Sequence, residues 1–183
     1  MQVTNVKTTS GVADGGDRLG RLRAGLRLPV IVAPMFLVSG PDLVLAACAA
    51  GVGGSFPAPN ARTIEDLEAW MRRIADGVAA LAQAGRPVAP WALGLVTHRS
   101  YDRLAAELEL VDRYQPPIVV TALGSPRPVI ERVHAYGGIV IGDVASVPLA
   151  HKAVDAGVDG LAGALAHDFP RCSPPWRFPV GTN

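Results

Sequence analysis

Residues 116–159 read PPIVVTALGSPRPVIERVHAYGGIVIGDVASVPLAHKAVDAGVD, and the rhythm of this stretch decides the fold class. Ile118 to Ala122 (IVVTA) is apolar on both faces, the pattern of a strand buried within a parallel sheet. Pro126 to Ala135 predicts a helix, and Gly138 to Ile141 a further short strand. Val147 to Ala156 predicts another helix, ended by Gly157 as its C-cap. From Asp159 to Leu165 a new strand begins. Short β-branched runs that alternate with helices of about ten residues define βα units and a parallel sheet.

Upstream the same alternation continues. Leu28 to Pro34 (LPVIVAP) predicts the first strand, and Pro41 to Ala50 a helix whose start suits Gly40 and Pro41. Gly51 to Phe56 predicts the second strand. Thr63 to Ala84 predicts a long helix opened by a Thr63-Ile64-Glu65-Asp66 capping box. Trp91 to Val96 is the third strand, and Ser100 to Tyr114 a helix with Leu104, Leu108 and Val111 on one face. Six βα units fit either a doubly wound sheet or most of a (β/α)₈ barrel. No GxGxxG follows the first strand, which counts against a dinucleotide-binding sheet. The expectation is therefore an α/β fold, an incomplete TIM-type (β/α) barrel of about six units over residues 28–167. Residues 1–27 form an N-terminal extension, polar and Gly-rich, with a short amphipathic stretch from Arg18 to Leu26. Residues 168–183 form an irregular tail whose prolines (Pro170, Pro174, Pro175, Pro179) exclude a helix or a central strand. That tail is not expected to supply a seventh and an eighth unit.

Composition narrows the function classes. The chain has 183 residues, 49 % of them hydrophobic and 18 % charged, enough for a substantial core. Its net charge is +1, from 17 basic and 16 acidic residues, so nothing supports a nucleic-acid footprint. No run reaches the roughly 18 apolar residues of a membrane span, and the first residues lack the apolar core of a signal peptide. A cytoplasmic protein without membrane or nucleic-acid partners is expected, with a homo-oligomer compatible. Cys48 reads as a small buried thiol, and with Cys172 it makes neither a disulfide framework nor a zinc site.

Three segments carry a family resemblance. The first is Pro29-Val30-Ile31-Val32-Ala33-Pro34-Met35, followed by Ser39-Gly40-Pro41 and the Ala-rich helix into Gly51-Val52-Gly53-Gly54. The second is WALGLVTHRS at residues 91–100, continuing through Leu104. The third is the 116–159 stretch. In this order they resemble the nitronate monooxygenase (2-nitropropane dioxygenase-like) family of FMN-dependent barrels over roughly residues 25 to 162. The resemblance implies an FMN cofactor, a small nitronate or nitroalkane substrate, O₂ as the oxidant, and monooxygenase chemistry.

It also implies a site at the C-terminal ends of the strands. Ala33, Pro34 and Met35 correspond to the family's turn against the flavin ring. As a bland alternative they are a structural strand-to-helix turn. Gly94 and Val96 end the third strand, where the family usually offers an Asn to the ring; Gly94 lacks that amide. Ala122 ends the fourth strand, where some members carry a catalytic His. Asp143 lies where relatives contact the flavin, and could bond the ring or ribityl hydroxyls, or merely cap the following turn. The family's Gly-rich His turn after the sixth strand is missing, which leaves His167 as the candidate catalytic base. His98 fits a loop near the substrate or a cap on the following helix, and His134 and His151 fit solvated helix positions. The charges at Glu65, Asp66, Glu68, Arg72 and Arg73 fit a solvated helix face.

The flavin phosphate in such barrels is held after strands seven and eight, and losing those charge-assisted bonds would cost about 1.5–3 kcal/mol each. Weak FMN binding, or none, is the expectation for this chain. A non-catalytic fragment or pseudoenzyme remains an alternative reading, as does a related FMN barrel such as an enoyl-acyl carrier protein reductase.

Overall fold

Five parallel strands pair in chain order, and that order separates the two architectures left open by the sequence. In the computed structural model, which describes residues 13–163, the strands are β1 (Gly54–Pro57), β2 (Trp91–Val96), β3 (Ile118–Ala122), β4 (Ile139–Val144) and β5 (Gly160–Gly163). Their order in the sheet is β1-β2-β3-β4-β5, with no reversal. A doubly wound sheet reverses at a switch point; a barrel advances one strand at a time. The fold is thus part of a (β/α) barrel.

The helices are α1 (Ala13–Ala24), α2 (Pro41–Ala50), α3 (Ile64–Gln83), α4 (Leu104–Tyr114), α5 (Arg127–Ala135) and α6 (Val147–Ala156). Leu67, Met71 and Ile74 of α3, Leu108 and Val111 of α4, and Val129 and Val133 of α5 share one core with Phe56, Trp91, Leu93, Leu95, Val119 and Val140 of the strands. Phe56 anchors it, its ring centroid 5.8 Å from that of Trp70 and 6.4 Å from that of Trp91. Cys48 is buried there, a small core thiol whose pKa burial pushes up.

Several element ends differ from the sequence expectation, each for a local reason. Leu28–Pro34 makes no named strand; it makes one parallel bridge, Ile31 to Gly53. Val32 N–H donates to Gly53 O at 2.8 Å, Gly53 N–H to Val30 O at 2.9 Å, and the Ser55 hydroxyl to Val32 O. This segment continues the parallel arrangement beyond β1. β1 starts at Gly54, later than expected, because Gly51 (φ 85°) caps α2 in the left-handed region. α4 starts at Leu104 because residues 98–101 form a turn, with Tyr101 N–H donating to His98 O at 2.9 Å. β4 runs on to Val144 because it pairs with β5 there. α1 lies in the expected N-terminal extension and starts earlier than its amphipathic stretch.

His134 is not a solvated helix residue. Its Nε2 lies 2.8 Å from Oδ2 of Asp159, whose side chain is 2 % exposed. The same Oδ2 accepts from Val140 N–H at 2.8 Å, and Arg18 Nη1 lies 3.4 Å from Oδ1. The carboxylate therefore ties α1, α5 and β4 together at the N-terminal end of the sheet. His151 is exposed. Residues 164–183, including His167, Cys172 and the expected tail, lie outside the described residues. Among the described residues no helix is long and apolar enough to cross a membrane.

Helix and strand backbones approach closely at Gly54, where an added Cβ would lie 2.5 Å from Val44 O and 2.8 Å from Val44 Cα. Neither can swing aside, since both are backbone of α2. Gly54→Ala is expected to destabilise the fold by about 1–3 kcal/mol, measured by urea unfolding against wild type.

Candidate functional site

Alternation along the strands gives the sheet two faces. Trp91, Leu93, Leu95, Val119 and Val140 point into the helix-side core, so Gly94, Val96, Val120, Ala122, Ile141 and Asp143 lie on the opposite face. Register aligns these in rows. Pro57 pairs with Gly94, Gly94 with Val120, Val120 with Ile141, and Ile141 with Gly160. One step nearer the C-terminal end, Val96 pairs with Ala122 and Asp143 with Ala162. Pro57, Gly94, Val120 and Ile141 form one row and the short side chains of Val96, Ala122 and Ala162 the next, a shallow floor with the exposed carboxylate of Asp143 at one side. Asp143 lies within β4, and the N-cap of α6 is Ser146, so Asp143 does not cap that helix.

The Ala33-Pro34-Met35 turn lies beside this floor. A Cβ on Gly94 would come 3.6 Å from Pro34 Cβ and 3.3 Å from Pro57 Cα, so the turn packs against β2 where the strand has no side chain. The turn is exposed but tied down. Met35 N–H donates to Ser39 Oγ at 3.0 Å, and the Ser39 hydroxyl donates to Ala33 O at 3.4 Å. Asn60, from the 3-10 turn Ala58–Asn60 after β1, clasps it from outside. Its Oδ1 accepts from Leu37 N–H at 2.9 Å, and its Nδ2 donates to Met35 O at 3.0 Å and Ser39 O at 2.8 Å.

Two exposed leucines in the loops at this end have left-handed backbones, Leu37 (φ 62°) and Leu123 (φ 63°). That conformation costs a non-glycine residue about 1–2 kcal/mol. At Leu37 the Asn60 clasp holds it. At Leu123 the neighbouring Gly124 presses on the chain after β2, where an added Cβ would fall 2.1 Å from Thr97 O. Next along, His98 is exposed, and its Nδ1 lies 2.7 Å from Ser100 Oγ and accepts from Ser100 N–H at 3.3 Å, which ties it to its own turn.

Sequence reasoning placed Ala33, Pro34, Met35, Gly94, Val96, Ala122 and Asp143 on separate segments; the structure sets all seven at or beside the C-terminal end of one sheet face. It missed Ser39, Asn60 and a cluster of the half-buried Tyr101 and Arg103 with the buried Glu107. Asn60 sits in a Pro-Ala-Pro-Asn turn, where a loop residue raises no signal. Glu107 did leave one, since it falls in the Leu104–Leu108–Val111 stripe, where a charge is out of place. Burial pushes the Glu107 carboxyl up, against the pull of the Tyr101 hydroxyl and the Arg103 charge. The Tyr101 hydroxyl is pushed up by burial and by Glu107.

A cleft of about 520 Å³ lies at the other end of the sheet, under α1, lined by Arg18, Leu22, Trp91, Gln115, Tyr136 and Gly138 among others. The N-terminal end of a barrel serves stability rather than chemistry, so the shallower C-terminal floor is the candidate site.

No protein-family model and no curated protein sequence matches the chain. Solved structures do. The fold is similar to that of FabK from Thermotoga maritima in its M276A mutant (TM-score 0.64, 20 % identity, 79 % of this chain and 45 % of that one). It is equally similar to nitroalkane oxidase from Streptomyces ansochromogenes (TM-score 0.65, 22 % identity, 76 % of this chain and 47 % of that one). A native KDPGal structure is more distant (TM-score 0.51, 22 % identity, 75 % and 60 %). The chain thus spans less than half the length of the first two. At these identities the likeness shows the shared barrel fold.

Two predictions follow from the loop clasp and the buried acid. Asn60→Ala removes three hydrogen bonds and is expected to cost about 1–2 kcal/mol, with faster amide hydrogen exchange in residues 33–39. A raised folded pKa at Glu107 means the native state holds that proton more tightly than the unfolded state. Its contribution is present below the ordinary glutamate range and is lost as pH rises through the folded value. The stability of Glu107→Gln relative to wild type should therefore increase across that interval, read from urea midpoints at successive pH values.

Proposed function

We propose that this chain belongs to an FMN-dependent oxidoreductase barrel that oxidises nitronates with O₂. The observation that carries the reading is the shallow floor at the C-terminal end of the sheet, with the Pro34 turn packed beside it. A flat ring needs a surface of small or apolar side chains, and Pro57, Gly94, Ala122 and Ala162, beside Val96, Val120 and Ile141, offer one. When bound, the flavin supplies electron acceptance from the substrate and the reaction with O₂.

The chain's own groups would hold and orient. Ala33, Pro34 and Met35 would hold the ring from the turn, and the backbone at Gly94 and Val96 would offer it hydrogen-bonding groups. The Asp143 carboxylate suits a ring N–H or a ribityl hydroxyl and is unsuited to a phosphate. Gly94 offers no side-chain amide, so ring contacts there fall to the backbone. A nitronate already carries the charge that a base would otherwise create, so it needs no proton abstraction, unlike the neutral nitroalkane. His167 keeps its place in the proposal as the base for the neutral form.

The resemblance of the three sequence segments and the fold likeness to a nitroalkane oxidase support the nitronate substrate. The equal likeness to FabK favours keeping one second reading, the enoyl-acyl carrier protein reductase kind of FMN barrel.

The test is an FMN titration by fluorescence quenching up to millimolar flavin, followed by O₂ uptake with propyl-2-nitronate, with 2-nitropropane, and with NAD(P)H plus an enoyl thioester. Quenching is expected, with O₂ uptake faster on the nitronate than on 2-nitropropane. Ala122→Phe fills the floor and should weaken FMN tenfold or more, about 1.4 kcal/mol, with an unchanged unfolding midpoint. Turnover only with NAD(P)H would favour the second reading. Absence of quenching, or indifference to Ala122→Phe, would contradict both.

A further inference from the structure

Behind the site lies a polar cluster that the proposed chemistry does not touch. Glu107 of α4 is fully buried. Its Oε1 accepts from the Tyr101 hydroxyl at 2.6 Å and lies 3.4 Å from Arg103 Nη2. Arg103 reaches away from its own helix to the chain after β1. Its Nη1 donates to Ala61 O at 3.1 Å and Arg62 O at 3.2 Å, and its Nη2 to Thr63 O at 3.4 Å.

Burying a carboxylate costs several kcal/mol before its partners repay any of it. Helix α4 packs through Leu108, Leu110 and Val111 without help from a charge. Nor is the cluster fully satisfied, since Arg103 Nε and Glu107 Oε2 have no hydrogen-bond partner among the described residues. Packing alone therefore does not account for Glu107, but the direction it gives the guanidinium does. Glu107 lies against the guanidinium itself, at Nη2, and so fixes the direction in which the planar fork of Nη1 and Nη2 offers its donors. Three consecutive carbonyls, 61 to 63, accept that fork. They directly follow Asn60, the residue that clasps Met35, Leu37 and Ser39.

We propose that Arg103, anchored by Glu107 and Tyr101, is a positioning residue that holds the Ala33–Ser39 turn beside the Gly94 floor by way of the 61–63 backbone and Asn60. The chain of contacts joins the loop after β2, the loop after β1 and the turn after the Ile31 segment. It deepens the flavin reading, on which its effect on FMN rests; the mechanical link does not depend on that reading.

The experiment follows hydrogen exchange by mass spectrometry in Arg103→Met, Arg103→Lys and Glu107→Gln, beside FMN titration of each. In Arg103→Met, exchange in peptides covering 33–39 and 57–63 should speed by about tenfold or more, while α5 and α6 exchange as in wild type. Arg103→Lys should recover part of the protection, since an ammonium donates without the fork. FMN affinity should fall in the same order. Glu107→Gln, which removes a charge that burial disfavours, keeps the test open if Arg103→Met does not fold, and should loosen 33–39 in the same direction. Unchanged exchange at 33–39 in a folded variant, or a uniform rise along the chain, would overturn the proposal. The expected exchange pattern without FMN quenching in any form, wild type included, would support the mechanical link and sink the flavin reading.

Discussion

When strands pair in parallel and in chain order, each crossover helix returns on the same side, and each following loop emerges at the same end. In this chain the register carries that constraint down to single residues. Phe56, Leu93, Leu95, Val119 and Val140 face the helices and fill one core. Their neighbours along each strand must then face the other way, and at the C-terminal ends those neighbours are Pro57, Gly94, Val96, Ala122, Asp143 and Ala162. Residues from five separate segments thus share one surface without making any direct contact that sequence could have signalled.

The helix side tolerates little change, because it is built on close backbone approach. α2 lies against β1 at Gly54, with no room for a methyl group, and at the bridge Gly53 lies close to the Ile31 side chain. The opposite side is shaped by hydrogen bonds. Ser39 and Asn60 use nearly all of their polar capacity on one seven-residue turn. Two leucines in this region keep costly left-handed backbones. A third such backbone, Gln115 (φ 47°), caps α4 at the opposite end of the sheet, so at the candidate site's end it is the clasp by Ser39 and Asn60, rather than strain alone, that sets the turn apart.

Much of the fold was legible in the sequence, because periodicity reports burial. IVVTA at 118–122 and WALGLV at 91–96 are buried runs with clear ends, and both strands lie where expected. The helix at 41–50 is bounded by Pro41 and Gly51, and its limits follow from those two residues. The Leu28–Pro34 run was read as a full strand because it is apolar. Yet it pairs on one side at a single bridge, and apolar character does not count hydrogen-bonding partners. His134 looked solvated because its partner, Asp159, is 25 residues away and a helix pattern cannot see it. The candidate site was legible only as strand ends. Asn60 and Arg103 shape those ends through contacts 21 to 42 residues apart and leave no local pattern, whereas Glu107 shows as a charge in an apolar stripe.

On the proposed function, the floor at the C-terminal end of the sheet receives a flavin ring. The most direct measurement is amide chemical-shift mapping by NMR as FMN is added to the whole chain. Shifts are expected at Gly94, Val96, Ala122, Asp143 and Ala162 and through 33–39, with the opposite end unmoved. Shifts confined to Gly25, Gln115, Gly137 and Gly138 around the cleft beneath α1, or no shifts at all, would contradict it.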